Sequence, residues 1–190
     1  MSFPTTPVPN SITIKSITPT FTSVTQSLKR QVRSRGGQRW IISATFPPMT
    51  RSAFAPIWAF AQKQKGQFGT FAFIPPVYGN TSGTATGTLR VNNSGGYAVG
   101  VSTIVSDGLT GTLKAGDFLK FASHDKVYTL TADSGTSLVI EPPLLDAVAD
   151  DEVITYNSVP FTVAFTSDVQ QMQVAVSGFV SYQIDLVEVI

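Results

Sequence analysis

The only histidine of this 190-residue chain, His124, is the residue on which acid–base catalysis would have to depend, because the chain has no cysteine. A Ser-His-Asp triad needs a histidine general base held between a serine and a carboxylate. His124 lies in the polar segment Ser123-His124-Asp125-Lys126, between two short predicted strands. Such a position predicts a solvated turn residue rather than a general base. Zinc sites need several Cys or His ligands, and this composition cannot supply them.

Carboxylates offer two further kinds of chemistry. Four of them fall within a short run: Asp146, Asp150, Asp151 and Glu152. The run lacks the alternating oxygen ligands and the glycine of a calcium loop, so it predicts a solvated acidic loop. A carboxylate pair could hydrolyse a glycosidic bond, but no acid precedes Asp107. Any such pair must therefore come from the second half of the chain.

The glycine-containing segment Gly66-Gln67-Phe68-Gly69 lacks the lysine and the following helix of a phosphate loop. With no triad, no ligand cluster and no phosphate loop, we expect a non-enzymatic protein with no metal and no cofactor.

A cluster of basic residues is the strongest charge feature of the chain: Lys29, Arg30, Arg33, Arg35 and Arg39. Five cations on one short segment repel each other unless salt or a partner screens them. Phe21 and Trp40 flank the cluster, and basic patches with interleaved aromatic residues can bind nucleic-acid strands. The cluster is therefore compatible with a subunit interface, with a solvated basic hairpin or with a nucleic-acid contact.

The charges divide unevenly along the chain. Residues 1–106 hold ten basic residues and no acid, whereas residues 107–190 hold three basic and twelve acidic residues. Charged residues make up 13% of the chain, about half of the roughly 25% that is usual for soluble domains. A protomer with faces of opposite sign suits head-to-tail contacts, in which one copy presents its basic face to the acidic face of the next. We therefore expect self-association.

Alternating apolar and polar residues predict mainly β-structure. Residues 11–18 and 39–46 alternate well, with Pro47-Pro48 expected to end the second strand, and residues 20–34 predict one long strand or two strands with a bend. Gly36-Gly37 predicts the turn of a hairpin between residues 20–34 and residues 39–46. The residues expected to pack in the core are Trp40, Ile42, Phe46, Phe54, Ile57, Trp58 and Phe71.

One helix is predicted at about residues 51–64, where apolar residues recur at helical spacing, with Thr50 as its N-cap and Gly66 as its C-cap. Pro56 requires either a kinked first turn or a start near Ala55. A strand over residues 68–73 should follow.

Shorter strands then recur between turns, at residues 86–91, 97–104, 118–122, 127–131, 137–140 and 152–156. Longer strands return at residues 160–165 and 169–190, the second broken near Gly178. This spacing predicts a core built from residues 1–75 and 158–190, interrupted by a small inserted β-barrel or sandwich domain at residues 77–157.

No segment is apolar enough to span a membrane or to serve as a signal peptide. We expect a protein assembled in the cytoplasm without membrane insertion.

The order of several motifs resembles the distal tail protein family of tailed bacteriophages. The motifs are Phe3-Pro4, Gly36-Gly37-Gln38-Arg39-Trp40, Phe46-Pro47-Pro48-Met49-Thr50-Arg51, Phe60 within the predicted helix, Gly66-Gln67-Phe68-Gly69-Thr70-Phe71, and, in the insertion, Lys114-Ala115-Gly116-Asp117 and Glu141-Pro142-Pro143-Leu144. The likeness is good over residues 1–75 and loose over the insertion.

The resemblance implies a tail-tube-like β-sandwich or split barrel with one flanking helix, forming a ring, commonly a hexamer, at the distal end of a phage tail. Such a ring joins the tail tube to the hub or receptor-binding proteins, and DNA passes through it without sequence-specific binding. The implied location is the tail of the virion, assembled in the host cytoplasm.

Two alternatives remain open. The inserted domain could bind carbohydrate or a receptor, since it contains Tyr97, Phe118, Phe121, Tyr128 and Tyr156, with Tyr78 at its joint. The chain could also be another virion subunit, such as a tail-tube, tail-terminator or capsid-decoration protein.

Overall fold

The structure, a computed structural model, describes all of residues 1–190. It is mainly β, with a single α-helix, α1 (Arg51–Lys63), and a 3-10 turn at Gly66–Phe68. The strands are β1 (Ser11–Ile17), β2 (Thr20–Val24), β3 (Arg30–Ser34), β4 (Arg39–Met49), β5 (Phe71–Phe73), β6 (Thr86–Val91), β7 (Thr103–Thr110), β8 (Phe118–Phe121), β9 (Val127–Leu130), β10 (Ser137–Glu141), β11 (Ile154–Thr155), β12 (Phe161–Phe165), β13 (Met172–Val174) and β14 (Val180–Glu188).

The two ends of the chain build one antiparallel core sheet in the order β1-β4-β14-β12-β5, with β13 paired to the first part of β14. Because side chains alternate across a strand, β4 buries one face and leaves Ser43 and Thr45 on the other. α1 covers the buried face with Phe54, Ile57 and Phe60. Aromatic rings of the sheet and helix pack edge to face there, as at Phe60 and Phe71, whose centroids are 5.0 Å apart.

One edge of the core sheet is covered by other parts of the chain, and two are not. The β5 edge is covered by the first residues of the chain, where the Phe3 N–H donates to the Ala72 carbonyl and the Ala72 N–H to the Met1 carbonyl, both at 2.8 Å. No strand pairs with the outer side of β1 or of β13. Two sheet edges therefore remain open on opposite sides of the sheet.

Residues 86–155 form a second antiparallel sheet in the order β11-β8-β9-β10-β7-β6. A bridge between Arg90 and Val153 brings its two outer strands together, so the sheet is a nearly closed barrel. A separate apolar cluster fills its interior, including Leu89, Ile104 and Tyr128. Gly108, at φ +73°, is required where β6 and β7 approach, because a Cβ there would lie 2.1 Å from the Thr88 carbonyl oxygen.

The chain passes between core and barrel twice, and the two crossings lie side by side. The Val159 N–H donates to the Gly79 carbonyl at 2.8 Å, and the Ser158 N–H donates to Asn80 Oδ1 at 2.9 Å. Aromatic packing adds to this joint, since the Trp40 and Phe118 rings meet edge to face with centroids 5.2 Å apart.

The predicted hairpin about Gly36-Gly37 is wrong. β3 pairs with β2 across a turn at residues 25–29, while β4 pairs with β1 and β14. Residues 20–34 fold back on themselves at Leu28, which adopts a left-handed φ of +62°. The two glycines instead connect this separate hairpin to the core sheet.

Pro47-Pro48 does not end β4, which continues to Met49. The pairing of β1 with β4 stops at Thr45, and the pairing of β14 with β4 is irregular between Phe46 and Met49. Prolines are tolerated in strands where ladder hydrogen bonds are missing in this way.

Several smaller boundaries also differ from the sequence prediction. The helix begins at Arg51 with Pro56 inside it, so a start near Ala55 is wrong, and Gln64 rather than Gly66 occupies the C-cap. Thr50 occupies the N-cap position, but its side chain makes no capping hydrogen bond. The strand expected at residues 97–104 begins only at Thr103, and the strand expected at 68–73 begins only at Phe71.

The residues expected in the core belong to or pack against one apolar cluster of the core sheet and helix, with Trp58 partly buried and the others buried.

Candidate assembly interface

The β2–β3 hairpin, residues 20–34, projects from the end of the core sheet and packs on nothing. Every residue of both strands is exposed. Four large apolar side chains are exposed on it: Phe21 at 61%, Val24 at 59%, Leu28 at 84% and Val32 at 49%. An isolated two-stranded hairpin is at best marginally stable in water. We call this segment with Arg35 the basic hairpin.

The basic hairpin brings four of the five clustered cations together: Lys29, Arg30, Arg33 and Arg35. Arg33 lies opposite Phe21, and Arg30 lies opposite Val24 on the other face, so both faces combine a cation with an apolar side chain. The Arg35 guanidinium lies 4.6 Å from the centroid of the Phe21 ring, a cation–π contact.

Arg39 is separated from the other four, because it begins β4 and pairs with Ile17 of β1. It lies close enough to Lys126 for the two cations to repel each other.

None of the nine basic side chains of residues 1–76 and 158–190 forms an ion pair. The barrel is the opposite case, because all four of its cations are paired. Three pairs lie within the barrel (Arg90–Asp151, Lys114–Asp133 and Lys120–Asp125), and the fourth joins Lys126 to Glu188 of the core. The barrel keeps an excess of acid, and the core keeps an excess of base.

The carboxylates of the predicted acidic loop and Glu141, which ends β10, differ in their contacts. Asp150 and Glu152 are structural, since Asp150 accepts from the Asn93 N–H at 2.9 Å and Glu152 accepts from the Ser123 N–H at 2.8 Å. Burial raises the pKa of Glu152, but hydrogen bonds from Ser123 and Ala149 outweigh it and lower the pKa below its ordinary value. Glu141 and Asp146 are exposed and form neither hydrogen bonds nor ion pairs through their side chains.

The loop that follows Glu141 and carries Asp146 also has an exposed apolar neighbour. The Gly100 N–H donates to the Leu144 carbonyl at 2.8 Å, which holds the preceding Val99, 62% exposed, beside this loop. We call Val99, Glu141 and Asp146 the acidic rim.

A buried ion pair fixes the barrel to the core. Lys126 Nζ lies 2.6 Å from Glu188 Oε2, and both side chains are almost completely buried. Glu188 also accepts from the Val127 N–H at 2.8 Å and the Trp40 N–H at 3.2 Å. Burial lowers the pKa of Lys126, Glu188 opposes this change, and Arg39 lowers the pKa further. This pair was not predicted from the sequence, although Glu188 occupies an inward-facing position of β14, where a charge is unusual.

A second exposed apolar segment surrounds β13 and its turn into β14. It was not predicted from the sequence either. Its large apolar side chains are Val169, Met172, Val174, Val176 and Phe179. A signal was present, since residues 169–184 contain apolar and polar residues but no charge. The segment lies at the β4 end occupied by Met49, about 35 Å along the strand from the basic hairpin.

No hydrogen bond joins the catalytic candidate His124 to a serine or to a carboxylate. His124 is buried rather than solvated, 3% exposed, and its Nδ1 lies 2.8 Å from the Tyr128 hydroxyl. The expectation of a solvated turn histidine is therefore wrong. No group of three or more His, Asp or Glu side chains could hold a metal ion.

Most aromatic residues of the barrel are internal. Phe118, Phe121, Tyr128 and Tyr156 are buried, Tyr97 is partly buried, and Tyr78 at the joint is exposed.

Neither a family model nor a curated protein matches this chain. The protein has no helix with the length and apolar character that crossing a membrane requires.

Proposed function

We propose that this protein is a structural subunit that assembles with copies of itself into a ring, and that the ring lies at the distal end of a bacteriophage tail. There it joins the tail tube to hub or receptor-binding proteins and surrounds the DNA passage. The tail-tube-like identity of the core belongs to the same proposal, which the order of sequence motifs supports.

The basic hairpin is the observation that carries the proposal. It exposes four large apolar side chains and four cations, and it has no packing partner within the chain. Large apolar side chains that are exposed together on one unsupported segment point to an interaction site. A segment that packs on nothing in one copy can gain its support from another.

The open edges of the core sheet support a repeating contact. β1 and β13 leave unpaired edges on opposite sides of the same sheet, and the basic hairpin and the β13 segment lie at opposite ends of β4. Contacts between unlike surfaces are heterologous, and they close into a ring when the rotation between copies completes a circle.

Native mass spectrometry and negative-stain imaging of the purified protein test self-association. We expect hexameric rings with an opening wide enough for double-stranded DNA. A protein that stays monomeric at every concentration tested would overturn the proposal.

The position of the ring in the virion requires a second test, because a ring-forming protein could belong to another part of the particle. Antibody labelling of intact particles should mark the tail tip once per particle. Labelling along the tail would favour a tail-tube subunit, and labelling of the head would favour a capsid protein.

A further inference from the structure

We propose that the basic hairpin of one copy binds the acidic rim on the inserted barrel of a neighbouring copy. This inference rests on the proposed self-association and names the surfaces that meet.

The first support is the segregation of charge between the two units. Residues 1–76 and 158–190 carry nine basic and three acidic residues, a net of +6, whereas residues 77–157 carry four basic and nine acidic residues, a net of −5. The two surpluses nearly cancel. The basic surplus of the core in one copy is therefore complementary to the acidic surplus of the barrel in another copy.

The second support is that the two surpluses do not meet within one chain. No hydrogen bond or ion pair joins any residue of the basic hairpin to the barrel. Lys29, Arg30 and Arg33 have no acidic partner. Glu141 and Asp146 likewise have no basic partner, because the cations of the barrel are already paired with other acids. The free charges of both signs are thus available to another copy.

The third support is the match in character beyond charge. The basic hairpin combines cations with Phe21 and Leu28, and the acidic rim combines carboxylates with Val99. Apolar contact supplies affinity that surface ion pairs alone rarely provide. Docking would also give the two-stranded hairpin the packing partner that it lacks within its own chain.

Two charge-reversed variants of the full chain test the pairing. R30E/R33E reverses two of the four cations and leaves the basic hairpin with no net charge, and E141K/D146K makes the acidic rim basic. The first variant places two carboxylates opposite the acidic rim, and the second places two cations opposite the basic hairpin, so we expect about tenfold or greater weakening of self-association in both, measured by sedimentation. These side chains are exposed and form no hydrogen bond or ion pair, so each variant should fold normally by circular dichroism.

Mixing the two variants is the decisive step. The reversed hairpin of one chain then faces the reversed rim of the other, and the unreversed hairpin faces the unreversed rim, so every mixed contact is complementary. We expect assembly to return only in the mixture, with the two chains alternating and therefore present in equal numbers. The reversals change the net charge from +1 to −3 in R30E/R33E and to +5 in E141K/D146K, so nonspecific attraction between the two chains needs a control. K63E/K65E, which reverses two exposed cations of the core outside the hairpin, also has a net charge of −3. It should assemble like the wild type by itself, and it should not draw E141K/D146K into rings in equal numbers, because its unreversed hairpin repels the reversed rim.

The outcomes separate the two proposals. A wild-type protein that never associates would overturn the proposed function as well. A wild type that assembles, with variants that fail to restore each other, would overturn only the hairpin–rim pairing. Normal assembly of R30E/R33E together with loss of DNA binding in a filter assay would assign the hairpin to nucleic acid and also overturn the pairing.

Discussion

At the scale of single residues, Lys126 and Glu188 show how the barrel is held at a defined position. One comes from the barrel and the other from the last strand of the core, and neither reaches solvent. A buried pair contributes little net stability relative to an apolar pair, but removing one partner leaves an uncompensated charge. We therefore expect the pair to act mainly against misplacement of the joint.

Replacing the lysine alone tests this role. K126M should cost about 3–5 kcal/mol in the free energy of unfolding, because it leaves the Glu188 carboxylate buried without a cation. K126M/E188Q removes the charge and keeps an acceptor for the Val127 N–H, so it should recover a large part of the loss. Urea unfolding measures both variants. A K126M protein as stable as the wild type would show that the side chains are not buried together.

Asp117 is the second residue whose role can be isolated. It is buried and accepts hydrogen bonds from Thr81, Ser82 and Lys114. Burial raises the pKa of Asp117, but these hydrogen bonds outweigh it and lower the pKa below its ordinary value. The carboxylate therefore ties the start of the insertion to the barrel.

D117N should destabilise the barrel by about 1–3 kcal/mol near neutral pH, because the amide cannot accept all of these bonds. A lowered folded-state pKa gives stability that is complete above pH of about 4 and is lost as the pH falls through the folded-state value. The stability difference between wild type and D117N should therefore narrow under acid conditions. Thermal unfolding at several pH values measures it, and a difference independent of pH would contradict the assignment.

At the scale of elements, the sequence predicted strands and helix better than it predicted which strands pair. Apolar spacing located α1 to within one residue at its end, because helical periodicity is a local signal. The partner of β3 was misjudged because the Gly36-Gly37 turn signal outweighed a turn at residues 25–29 that contains no glycine. β4 pairs with β1 and β14 instead of with β3. These pairings join segments that are distant in sequence, so a local pattern cannot predict them.

Local sequence patterns also did not predict which polar residues are buried. His124 lies in a polar segment, yet the turn folds it against Phe121 and Tyr128. Of the five interface candidates, four fell on one hairpin because they are close in sequence, whereas the acidic rim combines two loops that only the barrel brings together.

Hydrogen exchange tests whether the basic hairpin depends on assembly. In dilute, dissociated protein its amides should exchange much faster than those of β4, because an unsupported hairpin opens readily. Assembly should slow exchange in residues 20–34 by about tenfold or more and leave β4 unchanged. Equal protection before and after assembly would show that the hairpin is not part of the contact.

At the scale of the whole molecule, an acidic barrel attached to a basic core gives each copy two ends of opposite sign. Association through such ends depends on ionic strength, since the Debye length falls from about 10 Å at 0.1 M salt to about 3 Å at 1 M.

Raising sodium chloride over this range should weaken self-association, with the dissociation constant from sedimentation increasing steadily. K63E/K65E should show a similar dependence on salt, because its hairpin and rim are intact. Association that strengthens with salt would indicate that the apolar segment around β13, rather than the charged surfaces, dominates the contact.

Because the two crossings at Gly79 and Val159 lie side by side, another domain could take the place of the barrel. Because the chain leaves the core and returns to it at neighbouring hydrogen-bonded positions, any compact domain whose ends lie close together could be grafted there without stretching the core. Only the few side chains that line the joint, such as Trp40 and Glu188, would need new neighbours. The core scaffold could thus be kept while the inserted domain is exchanged.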